Sequence, residues 1–195
     1  MTGPSPTSHG LWLKQLNTYV RESDQILADW DAYSDQHSDE DGQPLDEVAY
    51  GRRQRQRDAD TWHAFTALRP GAEELLGQAE RQRAKLPADE QRRTGWRINA
   101  LRDALDGLRQ VESDWLTVCQ SLPPRPIAGE YEETLAERNA EGWHYLQEWS
   151  CHGHVLIEVD TMACKRTPAG SRFSTATSPS RPQPAPGLNR ARGRR

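Results

Sequence analysis

The tightest gathering of metal-ligand side chains is Cys151-His152-Gly153-His154, with Cys164 ten residues beyond His154. Thiolates and imidazoles are ligands that Zn²⁺ prefers, and four of them suffice for a closed tetrahedral site. The spacing is against it. It follows neither C-x₂₋₄-C nor H-x₃₋₅-H, and adjacent residues such as Cys151 and His152 point apart in regular structure. On a helix Cys151 and His154 share a face, which supplies half a site. The expectation is no metal and no cofactor, with Cys151, His152, His154 and Cys164 as the ligands a metal would use.

The same residues could form a thiolate–imidazole nucleophile, Cys151 or Cys119 with His144 or His63. A reactive thiolate needs an electropositive, partly exposed setting. Cys119 falls on an apolar stripe instead, and Cys151 has no Gly-rich turn or oxyanion partner nearby. No P-loop, dinucleotide fingerprint, nucleophile elbow or H-E-x-x-H occurs. Acid pairs such as Glu73/Glu74 and Glu132/Glu133 sit where helix dipoles favour them. No catalytic residue is assigned, and the chain reads as a non-enzyme.

Arginine offers a different chemistry. Arg52, Arg53, Arg55 and Arg57 would place two adjacent rows of guanidinium groups on a helix, a patch able to meet phosphates. Arg190, Arg192, Arg194 and Arg195 end the chain and could add to it. Two further clusters are Arg81/Arg83/Lys85 and Arg92/Arg93/Arg97. Residues 1–160 hold 29 acidic and 17 basic side chains, a net of −12, while residues 161–195 hold 8 basic side chains and no acid. An acidic body repels a polyanion, so nucleic acid is expected mainly at the tail. Twenty-two of the 25 basic residues are Arg, which a GC-rich bacterial genome would also encode.

These side chains must be positioned by helices. Leu13, Leu16, Val20, Leu27 and Trp30 recur at spacings of three, four and seven, which predicts a helix over residues 8–33 capped by Ser8, with Ser23 the polar member of the stripe. Residues 34–43 are acidic and apolar-free and read as a loop. Pro44 fits the first position of a second helix, whose stripe is Leu45, Val48 and Ala49, then Ala59, Trp62 and Phe65. Pro70 opens a third helix with Leu75, Leu76, Ala79 and Leu86 inward. Pro87, Asp89 and Glu90 open the fourth and best patterned: Ile98, Leu101, Leu105, Leu108, Trp115, Cys119 and Leu122, with Glu112 the intruder. Pro123, Pro124 and Pro126 stop it. A fifth carries Tyr131, Leu135, Gly142, Leu146 and Trp149. Residues 155–159 suit a strand by β-branching, but no second run exists to pair with them, so continued helix is favoured.

The fold class follows: all-α, a small bundle of about four to five helices over residues 8–160, with a disordered basic Pro/Ser/Arg-containing tail over residues 161–195. The fourth helix serves either as the centre of a monomer or as a homodimer seam. No signal-like leader opens the sequence and no apolar run approaches the ~20 residues that span a bilayer. Three unpatterned cysteines suit a reducing cytoplasm. Trp12, Trp62, Trp96 and Trp143 fall beside or at the edges of the stripes, and Trp and Arg are hot-spot residues of interfaces. The functional expectation is therefore a non-catalytic module that binds another protein.

Overall fold

The computed structural model describes residues 6–121 and 129–166. Among them the chain forms α1 (Pro6–His37), α2 (Glu47–Phe65), a 3-10 turn (Arg69–Gly71), α3 (Ala72–Arg83), α4 (Ala88–Ser121), α5 (Glu130–His152) and α6 (His154–Arg166). The protein is all-α. The expected bundle of about four to five helices stands, its fifth helix divided at Gly153 into α5 and α6. Val155, Leu156 and Val159 are buried at helical spacing, which resolves residues 155–159 as helix.

α4 is the long central element. Its Ile98, Leu101, Leu105, Leu108 and Val111 are buried within the chain, each contributing roughly 1.5–3 kcal/mol of transfer free energy. The stripe is therefore consumed inside one molecule as far as Val111. Beyond it Trp115 and Cys119 are half-buried, and Leu116 and Val118 are exposed; Leu122 and the prolines after it lie outside the described residues. Gly107, a costly residue in mid-helix, has a packing reason: an added Cβ would fall 2.4 Å from the Tyr145 ring of α5.

Around α4 the remaining helices share one core. α3 is a full member, with Leu75, Leu76 and Ala79 buried, and Arg102 and Arg109 of α4 both reach Glu73. Those two guanidinium donors hold the Glu73 carboxyl below its usual range. Tyr19 of α1, Phe65 of α2 and Trp149 of α5 make successive edge-to-face contacts at 5.1 and 5.4 Å. Tyr19 donates its hydroxyl to the Leu146 carbonyl at 2.6 Å, which satisfies the one polar atom of that trio's phenol.

Several local expectations are corrected. α1 extends beyond residues 8–33 at both ends, and Ser8 lies inside it with its hydroxyl toward Glu74 rather than serving as the cap. α2 begins at Glu47, not Pro44, because the Asp46 carboxylate accepts from the backbone N–H groups of Val48 and Ala49. Pro44 instead pairs with Ser38 across a tight turn. Leu45 and Val48 are not inward: they are 68% and 72% exposed. Tyr50 packs edge-on to Trp30 of α1 at 5.0 Å and Arg53 reaches over Tyr33, so aromatic and cationic groups fill that end.

The body also runs past residue 160. α6 continues to Arg166, held by Gln82 and His9, which both meet Asp160 Oδ1, and by Met162 against the core. Lys165 and Arg166 in its last turn suit the negative end of the helix. The expected disorder of the tail concerns residues 167–195, outside the described residues. No helix among the described residues is long and apolar enough to cross a membrane.

Candidate functional site

The Cys/His residues are spread around the α5–α6 junction. Cys151 and His154 are exposed, and His152 lies edge-on to Trp96 of α4 at 4.9 Å with Glu148 3.5 Å from its Nε2. Cys164 sits ten residues along α6 from His154, a rise of about 15 Å, with its Sγ 4.0 Å from Asp160. The four candidate ligands are not brought together. Among the described residues no group of three or more His, Cys, Asp or Glu side chains converges as a metal site would require.

The thiol chemistry fares no better by geometry. Burial first, then Glu148 and Asp24, push the Cys151 thiol above its usual range, the opposite of nucleophile activation. Cys119 is half-buried on α4, His144 stands edge-on to Tyr145, and His63 is exposed on α2.

The arginine row on α2 is divided by the fold. Arg52 and Arg55 are exposed, but Arg53 lies 5.8 Å from the Tyr33 ring centroid. Arg57 is clasped between two indoles, 4.5 Å from Trp30 of α1 and 4.0 Å from Trp143 of α5. Its Nε and Nη2 both donate to Asp58 Oδ1, at 2.9 and 2.7 Å, and Asp58 is only 1% exposed. Burial pushes the Asp58 carboxyl up while Arg57 opposes the shift. Half of the expected phosphate patch therefore serves the fold. Arg190, Arg192, Arg194 and Arg195 lie outside the described residues. The other arginine clusters are largely occupied: Arg81 by Gln78, Arg83 by the Gln91 carbonyl, Arg92 by Asp89, Arg93 by Glu90 and Glu158, and Arg97 by Glu158.

A second clasp repeats the first. Arg138 of α5 lies 4.4 Å from the Trp62 ring of α2 and 4.8 Å from the Trp115 ring of α4. Its Nε and Nη2 both donate to the next residue, Asn139 Oδ1, at 3.2 and 2.6 Å. Trp62 in turn donates its indole N–H to the Asn139 carbonyl and leaves no room for a Cβ at Gly142, where one would fall 2.3 Å from the ring. Sequence reasoning missed both clasps. The available signal was a pair of doublets, Arg57-Asp58 and Arg138-Asn139, on chain segments that each carry a stripe-edge Trp.

The clasps account for two of the tryptophans placed at stripe edges, Trp62 and Trp143, and Trp12 has contacts of its own. Trp12 packs over Gly71 and bonds Glu74, Trp62 is buried, and Trp143 covers Arg57. Trp96 differs. All seven tryptophans are among the described residues, and Trp96 is the exposed one, at 59%. No family model, no curated protein and no solved structure matches the chain.

Proposed function

We propose that this chain is a non-catalytic helical interaction module that anchors another protein on the Trp96 face of α4. The observation that carries the reading is the 59% exposure of Trp96 in a molecule that otherwise employs its indoles internally. Arg92 and Arg93 stand one turn before it on the same helix face, and His152 of α5 closes its other side. Exposed Trp beside Arg is the composition of binding hot spots, where one ring can carry more than 2 kcal/mol. Arg92 pairs with Asp89 at the surface, and Arg93 pairs with Glu90 and Glu158.

The test is affinity capture from native lysate with wild-type protein and Trp96→Ala in parallel, each with and without nuclease. The variant is expected to melt within about 1 °C of wild type, because the ring is exposed and its truncation removes little buried surface. A protein captured by the wild type in both conditions and lost from the variant is the expected result. Capture that survives the substitution, or that nuclease abolishes, overturns the reading.

A further inference from the structure

The two clasps share their cation–ring and hydrogen-bond pattern and differ in charge. In each, a guanidinium lies between indoles of two other helices and donates through Nε and Nη2 to the Oδ1 of the following residue. For Arg57 that residue is the carboxylate Asp58; for Arg138 it is the neutral amide Asn139. The first clasp balances its charge internally and the second does not. Every acidic side chain of the protein lies among the described residues, and none makes an ion pair with Arg138. Glu112, the nearest in influence, is paired with Arg69.

The unbalanced clasp also faces a cavity. A cleft of about 290 Å³ opens between α2, α4 and α5, with Trp62, Phe65 and Leu135 supplying apolar wall and Arg138, Asn139, His63 and Thr66 polar wall. The Arg69–Glu112 pair stands at the same cleft. The volume is at the lower edge of the ~300–1,000 Å³ of small-molecule sites. Of five guanidinium N–H groups, two are directed at Asn139, so three remain for an acceptor in the plane of the group. The Trp62 and Trp115 rings lie 4.4 and 4.8 Å from the Arg138 Cζ, and an N–H edge of the guanidinium is the geometry that carboxylates meet best. Burial lowers the affinity of Arg138 for its proton, the cost that an incoming anion would offset.

We propose that this cleft binds a small carboxylate carrying a flat apolar body, with the carboxylate on the free edge of Arg138 and the body against Trp62 and Leu135. The site is independent of the Trp96 face. Trp96 and Glu112 are sixteen residues apart on α4, about 24 Å of helix.

The probes are phenylacetate, its neutral isostere phenylacetamide, and inorganic phosphate, added to full-length protein. Binding is read by calorimetry and by the indole N–H resonances, with Trp143 at the balanced clasp as the internal control. Phenylacetate is expected to bind with a dissociation constant of about 1 mM or tighter, as suits a ligand of its size. It should shift the Trp62 resonance and leave that of Trp143 in place. Phenylacetamide and phosphate should each bind at least about tenfold more weakly, one lacking the charge and the other the body. Asn139→Asp turns the second clasp into a copy of the first, so it should keep the fold and lose phenylacetate by tenfold or more. Arg138→Gln should lose it too. Absence of phenylacetate binding at 10 mM, equal binding of the amide or of phosphate, or undiminished binding to a folded Asn139→Asp protein would each overturn the proposal.

Discussion

Arg57 shows how much a single side chain can be asked to hold. It links three helices through Trp30, Trp143 and its own backbone, and it is the counter-charge of the almost fully buried Asp58. Breaking a buried pair by removing one partner costs more than removing both, because the survivor is left uncompensated. Arg57→Met should therefore destabilise the protein by about 3–5 kcal/mol in denaturant melts at pH 8, and Arg57→Met/Asp58→Asn should cost clearly less. The pH dependence has a definite sign. Losing Arg57 removes the one influence that lowers the Asp58 carboxyl, so its folded-state value rises further above the usual 3.8. A raised folded-state pKa gives stability that is present at low pH and lost as pH rises through it. The deficit of Arg57→Met should accordingly be smaller at pH 4 than at pH 8. Equal deficits at both would show that Asp58 is not what the substitution strands. Neither clasp was legible as such in the sequence. An arginine enclosed by indoles of two other helices has no characteristic spacing, and the row Arg52 to Arg57 reads as one solvated patch until the fold assigns its members different neighbours.

At the scale of elements, legibility followed the strength of the apolar period. The stripe of α4 is regular from Ile98 to Leu108, and those residues are the buried ones. Where period gave out, local signals competed. Pro44 and Asp46 both mark a helix start, and Asp46 prevails because its carboxylate satisfies two backbone donors that proline would leave open. Leu45 and Val48 looked like stripe members but lie beside a helix end that Tyr50, Tyr33 and Trp30 already fill. The boundary at residue 160 failed for a related reason: the contacts that hold α6, from Gln82 and His9 to Asp160, join residues more than seventy positions apart. Alanine substitutions separate the two halves of α4. Leu105→Ala and Leu108→Ala should each cost about 2–5 kcal/mol, since both leave a cavity in the shared core. Leu116→Ala, at a position 47% exposed, should cost less than about 0.5 kcal/mol. Similar costs at all three positions would mean that the stripe continues under cover beyond Val111.

At the scale of the whole molecule, the uneven charge separates two routes to nucleic acid. Residues 1–166 contain 29 acidic and 19 basic side chains, a net of −10, and residues 167–195 contain six arginines and no acid. The exposed members of the α2 row are now Arg52 and Arg55 alone, set against that acidic body. Two surface guanidinium groups contribute little against such a field, whereas six in a short segment without acids can neutralise phosphates locally. Each phosphate neutralised adds about 0.9 to the slope of log affinity against log salt, so the tail can reach a slope of about 5 at most. Dissociation constants at physiological salt should then fall no lower than roughly 10⁻⁴–10⁻⁶ M, without sequence preference. Truncation after Arg166 keeps α6 whole, where a cut at Asp160 would remove its last turn and a half. If nucleic acid is met at the tail, that truncation should abolish binding to a labelled duplex; the melting temperature should stay within about 2 °C, because the tail sequence carries no patterned apolar surface. Arg52→Gln/Arg55→Gln in the full chain should leave binding nearly unchanged. The opposite pattern, tight binding by the truncated body at 150 mM salt that the double substitution removes, would place the phosphate-binding face on α2, and nucleic acid would replace protein as the expected partner.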